Sequence, residues 1–372
     1  MKDDRHLPKY IKIKNIIEDL IDKNNLKIGD RIPTEKEMSQ NYNVSRHTVR
    51  KAFDLLEREG KLEKQQGVGT FYAGKQGINS GNVGFISISL HDYIFADILH
   101  GIDNVLHEDG YQIMLGNSRD NEDREAQILK KFLNKNIEGL IIEPAKSASY
   151  TNLPLLERFA EKDIPIVLLD SRLDGNNFNS ITVDDLKGGE LATEYLLHKS
   201  HKKVAIIYKA IHQPALVRLQ GYKRALKRAG ISPAAELIKP YYTSEFENPS
   251  GFNDEIGFII NDLLQERKPP SAIFCFNDQI AVLVNELLTA RGLSVPDDIS
   301  LVGFDNSSLV DLSNIAITSV AHPRSRAGEK AARILIKQIV DGCKAVRHEV
   351  FVPELIERSS VKHYKPGFRS NM

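Results

Sequence analysis

Four cationic or titratable side chains, Arg46, His47, Arg50 and Lys51, stand together at the start of the stretch NVSRHTVRKAFDLLEREG, residues 43 to 60. Two arginines one helical turn apart each carry a planar fork of donors, which suits phosphate oxygens or the O6 and N7 acceptors of guanine. Ser45 can cap the first turn and Gly60 can supply the left-handed residue that ends the last, so the spacing predicts a helix over 46–59. At roughly 100° per residue, Val49, Ala52, Phe53 and Leu56 gather on one side, and the cations lie on a stripe about 140° away. Thr48 shares the first turn with them. A solvated charged face has the same pattern, so the surrounding elements must decide between the two readings.

A second set of polar residues follows short apolar runs: His91 after VGFISISL, Glu143 and Lys146 in GLIIEPAK, Asp170 and Arg172 in PIVLLDSR. Asn277 in FCFND, Asp305 in LVGFD and His322 in TSVAHP do the same, and Arg218 precedes the helical pattern LQGYKRAL. Carboxylates, amides and Arg pair with neutral hydroxyls, and an aromatic face packs on C–H surface, so the set suits a polyhydroxylated ligand, with Tyr93 as the stacking candidate. Plainer roles compete. Asp278 and Asp305 can cap the helix or turn just after them, with capping preferred for Asp278, and Arg172 can be a surface residue of the DSRLDGN turn. His198 and His201, in HKSH, resemble half a metal site but are expected to be exposed residues at a helix end.

The elements that must position these residues fall into two groups. YIKIKNIIEDLID repeats Ile13, Ile16, Ile17 and Leu20 at helical spacing, and Thr34 with Glu37 makes a capping box for a short helix through Gln40. KLEKQQGVGTFYAG reads as a hairpin with its tip at Gly67-Val68-Gly69, from which Gln66 can reach a minor groove. Helix, helix, helix, hairpin is the order of a winged helix-turn-helix. GKQGINSG (74–81) is the linker candidate. Beyond it, VGFISI, YQIML, GLIIE, PIVLLD, KVAIIY, SAIFCF and ISLVGF are short, uniformly apolar and separated by helical segments. Such runs predict parallel strands covered on both faces, an α/β region long enough for two lobes with a cleft between them. The expected division is a winged-helix head over 1–73, the linker 74–81, and a two-lobed domain of parallel sheets over 82–372.

The chain has 372 residues with 50 Lys/Arg and 50 Asp/Glu, but residues 1 to 75 hold 16 bases against 12 acids. The excess lies where contact with a polyanion is expected. MKDDRHLPKY has no apolar core of a signal peptide, no apolar run is long enough to cross a membrane, and Cys275 and Cys343 suggest no disulfide framework. A reducing cytoplasm is the expected location. The sequence contains no P-loop, HExxH, GxSxG or paired CxxC, and GVGTFYAG lacks the third glycine of a dinucleotide fingerprint. Binding rather than catalysis is expected, with a sugar-processing enzyme as the alternative.

LPKY, GDRIPTEKEM, VSRHTVRKAFDLLEREG and GVGTFYAG, in order over about residues 7 to 73, resemble the head of the GntR-type transcription regulators. That resemblance implies DNA contact by Lys9, Tyr10, Glu35, Arg46, His47, Arg50, Gln66, Gly67 and Gly69, with Ser45 and Thr48 beside them. Glu35 is then either an acceptor for a cytosine amine, an orienter of an arginine, or a capping residue, and Tyr10 can be a packing residue. GYQIMLGNSRDNEDREAQIL, TVDDLKGGELATEYLL, RLQGYKRAL, FCFNDQIAV and GLSVPDDISLVGFDN are similar to the LacI/GalR-type effector domain. That likeness implies the two-lobed fold of periplasmic sugar-binding proteins and carries over Arg218, Asn277 and Asp305. Head and body together resemble the L-arabinose-responsive repressors of Gram-positive bacteria, on which Glu143, Lys146 and His322 rest. The resemblance implies a homodimer on double-stranded operator DNA, released by L-arabinose, with no cofactor and no metal. The run YKAIHQPALVR is peculiar to this chain and leaves a different sugar open.

Overall fold

The computed structural model describes residues 8–365, apart from 24–25, 28, 59, 66–67, 74–79, 91–92, 174, 176–177, 313 and 343–344. The chain divides into two compact units, Met1–Ser80 and Gly81–Met372.

In the first unit, helices α1 (Lys9–Lys23), α2 (Glu35–Asn41) and α3 (Arg46–Arg58) precede the antiparallel strands β1 (Leu62–Gln65) and β2 (Gly69–Tyr72). The expected capping box is present: the Glu37 amide donates to Thr34 Oγ1 at 3.2 Å and the Thr34 amide to Glu37 Oε2 at 2.7 Å. Ser45 caps α3 through the Thr48 amide at 3.2 Å, and Gly60 takes φ of 65°, where a side chain would be strained. Ile13, Ile17, Met38, Val49, Phe53 and Leu56 bury the inner faces of all three helices in one small core. A single bridge from Arg31 to Phe71 adds an edge to the hairpin.

The second unit holds two six-stranded sheets. The first lobe orders β13 (His348–Phe351), β7 (Asn179–Val183), β6 (Ile166–Leu169), β5 (Gly139–Ile142), β3 (Asn82–Ser87) and β4 (Gln112–Asn117), all parallel. The second orders β14 (Leu355–Ile356), β12 (Thr318–Ala321), β11 (Ser300–Asp305), β10 (Ala272–Cys275), β8 (Val204–Lys209) and β9 (Ile238–Tyr241), parallel except for β14. The chain passes between lobes three times, after β7, after β12 and after β13.

Each sheet is covered on both faces, as uniformly apolar strands require. In the first lobe, α4 (Phe95–Glu108) and α12 (Arg324–Asp341) lie on one side, with α5 (Glu122–Leu133) and α6 (Leu153–Ala160) on the other. In the second lobe the pairs are α7 (Asp185–His198) with α8 (Gln213–Arg228), and α9 (Pro249–Gln265) with α10 (Asp278–Thr289). The same device joins α4 to α12 and α7 to α8: glycines at the crossing let the backbones touch. A Cβ on Gly189 would stand 2.2 Å from Arg218 O, and one on Gly221 2.2 Å from Leu186 O.

Two sequence expectations are corrected. YQIML is an edge strand, half open to solvent rather than covered on both faces, because β4 has only β3 beside it. Arg218 lies inside α8, which begins at Gln213, and not ahead of that helix.

Candidate DNA-reading helix and effector cleft

On α3, Val49 is wholly buried while Arg46, His47, Arg50 and Lys51 are exposed, as the helical projection requires. Arg50 is already engaged within the head. Its Nε and Nη2 donate to Glu35 Oε2 at 3.2 and 3.1 Å, and Lys64 Nζ reaches Glu35 Oε1 at 3.3 Å. Partial burial pushes the Glu35 carboxyl up, but Arg50 and Lys64 outweigh it and hold the group below its ordinary value. Glu35 thus sets the direction of an arginine fork, one of the roles considered for it. Lys51 Nζ sits 4.2 Å from the centre of the Tyr10 ring, so Tyr10 packs under a cation. Lys9 is exposed at the start of α1. Ser45 and Thr48 share a hydroxyl contact at 2.8 Å and serve the helix cap. Gly69 has φ of 150° beside Arg31, and Gln66 and Gly67 lie outside the described residues.

In the body, the ends of β5, β6, β10, β11 and β12 converge on a cleft. Glu143, Asp170, Arg218, Asn277, Asp305 and His322 all line it, so the rule of polar residues after apolar strands brings five candidates together and α8 adds Arg218. Asp170 and Asp305 hold left-handed φ values of 49° and 98°, which aim their carboxylates off the strand ends at some backbone cost.

Arg218 is nearly buried between aromatic rings, its guanidinium carbon 3.4 Å from the Phe304 ring centre. Nε donates to Asp185 Oδ1 at 2.8 Å and Nη1 to Phe276 O at 2.7 Å. Burial pushes the Asp185 carboxyl up to about 6 although Arg218 pulls against it. His322 Nε2 lies 3.0 Å from Asp170 Oδ1. Burial disfavours charge on both, yet each charge sustains the other: Asp170 titrates below and His322 above its ordinary value. Glu143 Oε2 accepts from Ser87 Oγ at 3.0 Å and from the Ile88 amide at 3.3 Å.

Other candidates land elsewhere. Tyr93 does not line the cleft; its hydroxyl donates to Asp305 Oδ2 at 2.5 Å, and Phe276 is the aromatic residue of the lining. Arg172 is exposed, its amide held by Gln213 Oε1 at 3.0 Å. Lys146 stays out of the lining, its backbone at φ 47° and its amide donating to Asp120 Oδ1 at 3.1 Å. His91 lies outside the described residues. Asp278 is no cap: Asn277 caps α10 through the Ile280 amide at 3.0 Å. Asp278 instead accepts from Ser307 and Ser319 beneath the Asp305 turn. His198 is exposed as expected, but His201 is buried, bonded to Ser271 Oγ at 2.9 Å and Lys362 O at 3.0 Å. Among the described residues, no group of three or more His, Cys, Asp or Glu could hold a metal ion.

Sequence reasoning missed Ser147, Lys209, His212 and Glu245 in the lining. Lys209 and His212 fall in the peculiar YKAIHQPALVR run, and Lys209 ends β8, so the strand-end rule applied to KVAIIYK reaches it. Glu245 comes after β9, whose sequence IKPY carries no strand signal.

The buried carboxyls impose a pH dependence. Burial and the Asp305 carboxylate push Asp278 up to about 7, and burial pushes Glu125 up to about 6. With Asp185, these groups bind more protons folded than unfolded between about pH 4 and 7, so stability falls as pH rises through that window. His322, raised when folded, loses its contribution in the same direction, whereas the depressed His201 and His348 oppose it. The thermal midpoint by calorimetry is expected to be higher at pH 5.5 than at 7.5, with a flatter dependence in Asp278→Asn. An equal or lower midpoint at pH 5.5 contradicts this balance.

Comparison with known proteins matches these two constructions separately and together. The bacterial regulatory proteins of the gntR family match residues 9–71, and the periplasmic binding protein-like domain matches residues 193–361. An arabinose metabolism transcriptional repressor of Geobacillus stearothermophilus is 33% identical over 367 residues, 96% of this chain and 99% of the relative. Among solved structures, a transcriptional regulator CelR–cellobiose complex has TM-score 0.67 at 20% identity, covering 88% of this chain and 100% of that one. A LacI family regulator of Enterococcus faecium with bound ribose has TM-score 0.65 at 21% identity, covering 76% and 100%. These two share the fold. Among the described residues no helix is long and apolar enough to cross a membrane. With an exposed basic helix on the head, a strand-end cleft in the body and a relative matching nearly end to end, the chain belongs to the family of transcriptional repressors that join a gntR-type head to a periplasmic binding protein-like body; it is a DNA-binding regulator and not an enzyme.

Proposed function

We propose that this repressor controls sugar utilisation genes and leaves its operator when L-arabinose enters the body cleft. The observation that supports a neutral sugar most is the charge of the lining. Glu143, Asp170, Glu245 and Asp305 face Lys209, Arg218, His212 and His322 around the Phe276 ring. Four carboxylates share the lining with four bases, so it offers an anion no excess of positive charge, which favours hydroxyls over a phosphate or carboxylate ligand. The similarity to an arabinose metabolism repressor supports the choice of sugar. Calorimetric titration of the purified chain with pentoses, hexoses and their phosphates tests it. L-arabinose is expected to bind and arabinose phosphate to fail; binding of the phosphate alone would overturn the reading.

In this reading the protein acts in the cytoplasm as a homodimer, with two heads on the half-sites of a pseudo-palindrome. Arg46, His47 and Arg50 face the major groove, with Thr48 beside them, Lys9 on the backbone, and Glu35 holding Arg50. The hairpin tip at Gln66, Gly67 and Gly69 reaches the minor groove. Sugar that prefers the closed cleft lowers operator affinity, and operator must weaken sugar binding by the same factor. Arg50→Ala is expected to cost operator binding about 1–3 kcal/mol with sugar binding intact. Unchanged affinity in a fluorescence-anisotropy titration removes Arg50 from the contact set.

A further inference from the structure

Asp120 is heavily engaged beside the cleft, yet it does not line it. It sits in the turn after β4, on the first lobe, fully buried and with a left-handed φ of 57°. Its partners come from both lobes. Oδ1 accepts from the Lys146 amide at 3.1 Å within its own lobe. From the other lobe, Lys209 Nζ lies 3.0 Å from Oδ2, and His212 Nε2 lies 3.0 and 3.1 Å from the two oxygens. A carboxylate only accepts, so the proton of that imidazole sits on Nε2. Lys209 is buried too and is held from its own lobe by Glu245 Oε2 at 2.8 Å. Beside this cluster, Asn121 Nδ2 reaches Glu247 Oε1 at 2.7 Å, again between lobes.

We propose that Asp120 is a positioning residue for effector binding: from the far lobe it seats Lys209 and His212 against the ligand, and does so only while the lobes are together. The inference rests on the sugar reading for the identity of the ligand. The geometry carries the rest. Lys209 and His212 line the cleft, and the group that orients them belongs to the opposite wall. Opening the lobes withdraws Asp120, leaves Lys209 on Glu245 alone, and strips His212 of its carboxylate. Closure and completion of the binding surface are then one event, which links occupancy to lobe position.

The test uses the full chain with spin labels on Glu161→Cys in the first lobe and Glu286→Cys in the second, in a Cys343→Ser background. Asp120→Asn is expected to lengthen and broaden the interlobe distance, to weaken L-arabinose at least tenfold, and to do so through faster dissociation with association nearly unchanged. Operator affinity without sugar is expected to stay at the wild-type value. Weaker binding with an unaltered distance distribution would reduce Asp120 to a local structural role and overturn the proposal, as would wild-type behaviour in both measurements. If the wild-type chain binds no sugar, the arabinose reading fails, while the distance measurement still decides the role of Asp120. Should Asp120→Asn fail to fold, His212→Gln, which removes one interlobe partner of Asp120 and leaves Lys209 on Glu245, is read by distance alone: a longer, broader interlobe distance is expected, and an unaltered distribution overturns the proposal.

Discussion

Arg218→Ala is expected to abolish release of the operator by sugar while operator binding itself survives. The guanidinium lies between the Phe304 and Phe276 rings, bonds Asp185 and the Phe276 carbonyl, and lines the cleft. Truncation removes a ligand-facing fork and leaves the buried Asp185 without its cation, a loss of about 3–5 kcal/mol in body stability. The two effects must be separated. Combining Arg218→Met with Asp185→Asn removes both charges, and such replacements return much of the stability. The double variant is therefore expected to melt near the wild-type temperature and still ignore L-arabinose. A variant that dissociates from the operator at the wild-type sugar concentration would remove Arg218 from the pocket.

Gly221→Val is expected to destabilise the body by about 3 kcal/mol or more, at or above the top of the usual range for overpacking because backbone must move to admit the side chain. The new Cβ would stand 2.2 Å from Leu186 O and 2.8 Å from the Glu190 amide nitrogen, both backbone atoms of α7. No rotamer relieves that contact, so α7 and α8 must separate and the core beneath them open. Gly257, inside α9, provides the contrast, because nothing lies within 4 Å of its Cβ position. Gly257→Ala there is expected to gain about 0.5–1 kcal/mol from helix propensity and the unfolded chain's lost freedom. Calorimetric melting of the two variants checks both signs; a Gly221→Val protein melting with the wild type would mean the helices do not cross where the structure places them.

The reach of sequence reasoning depends on the range of the forces involved. The α3 helix, its Ser45 cap and its Val49–Phe53–Leu56 stripe are local and periodic, so the pattern alone shows them. Strands β3, β5, β6, β8, β10 and β11 are buried on both faces and announce themselves as apolar runs. Three of the four strands at the margins of the two body sheets, β9, β13 and β14, do not: IKPY and HEVF are short and partly polar, LI is only two residues, and all three are held in place by partners distant in the chain. Glu245 was lost with β9 for that reason. Asp120 was lost for another. Its partners Lys209 and His212 lie some ninety residues downstream on the opposite lobe, a relation that spacing within one segment cannot encode. His201 illustrates the same point in reverse, since its burial depends on the C-terminal segment at Lys362 and Tyr364 folding back over it.

Control of the head's grip on DNA by a carbohydrate in the body is the claim on which the proposed function stands. The most direct measurement is fluorescence anisotropy of a labelled duplex, selected from random sequences for binding to the full chain, as L-arabinose is added. Release of the duplex on addition of the sugar is the expected result, with the concentration needed rising as more duplex competes. An anisotropy that no pentose or hexose changes, on a duplex the chain binds tightly, would contradict it.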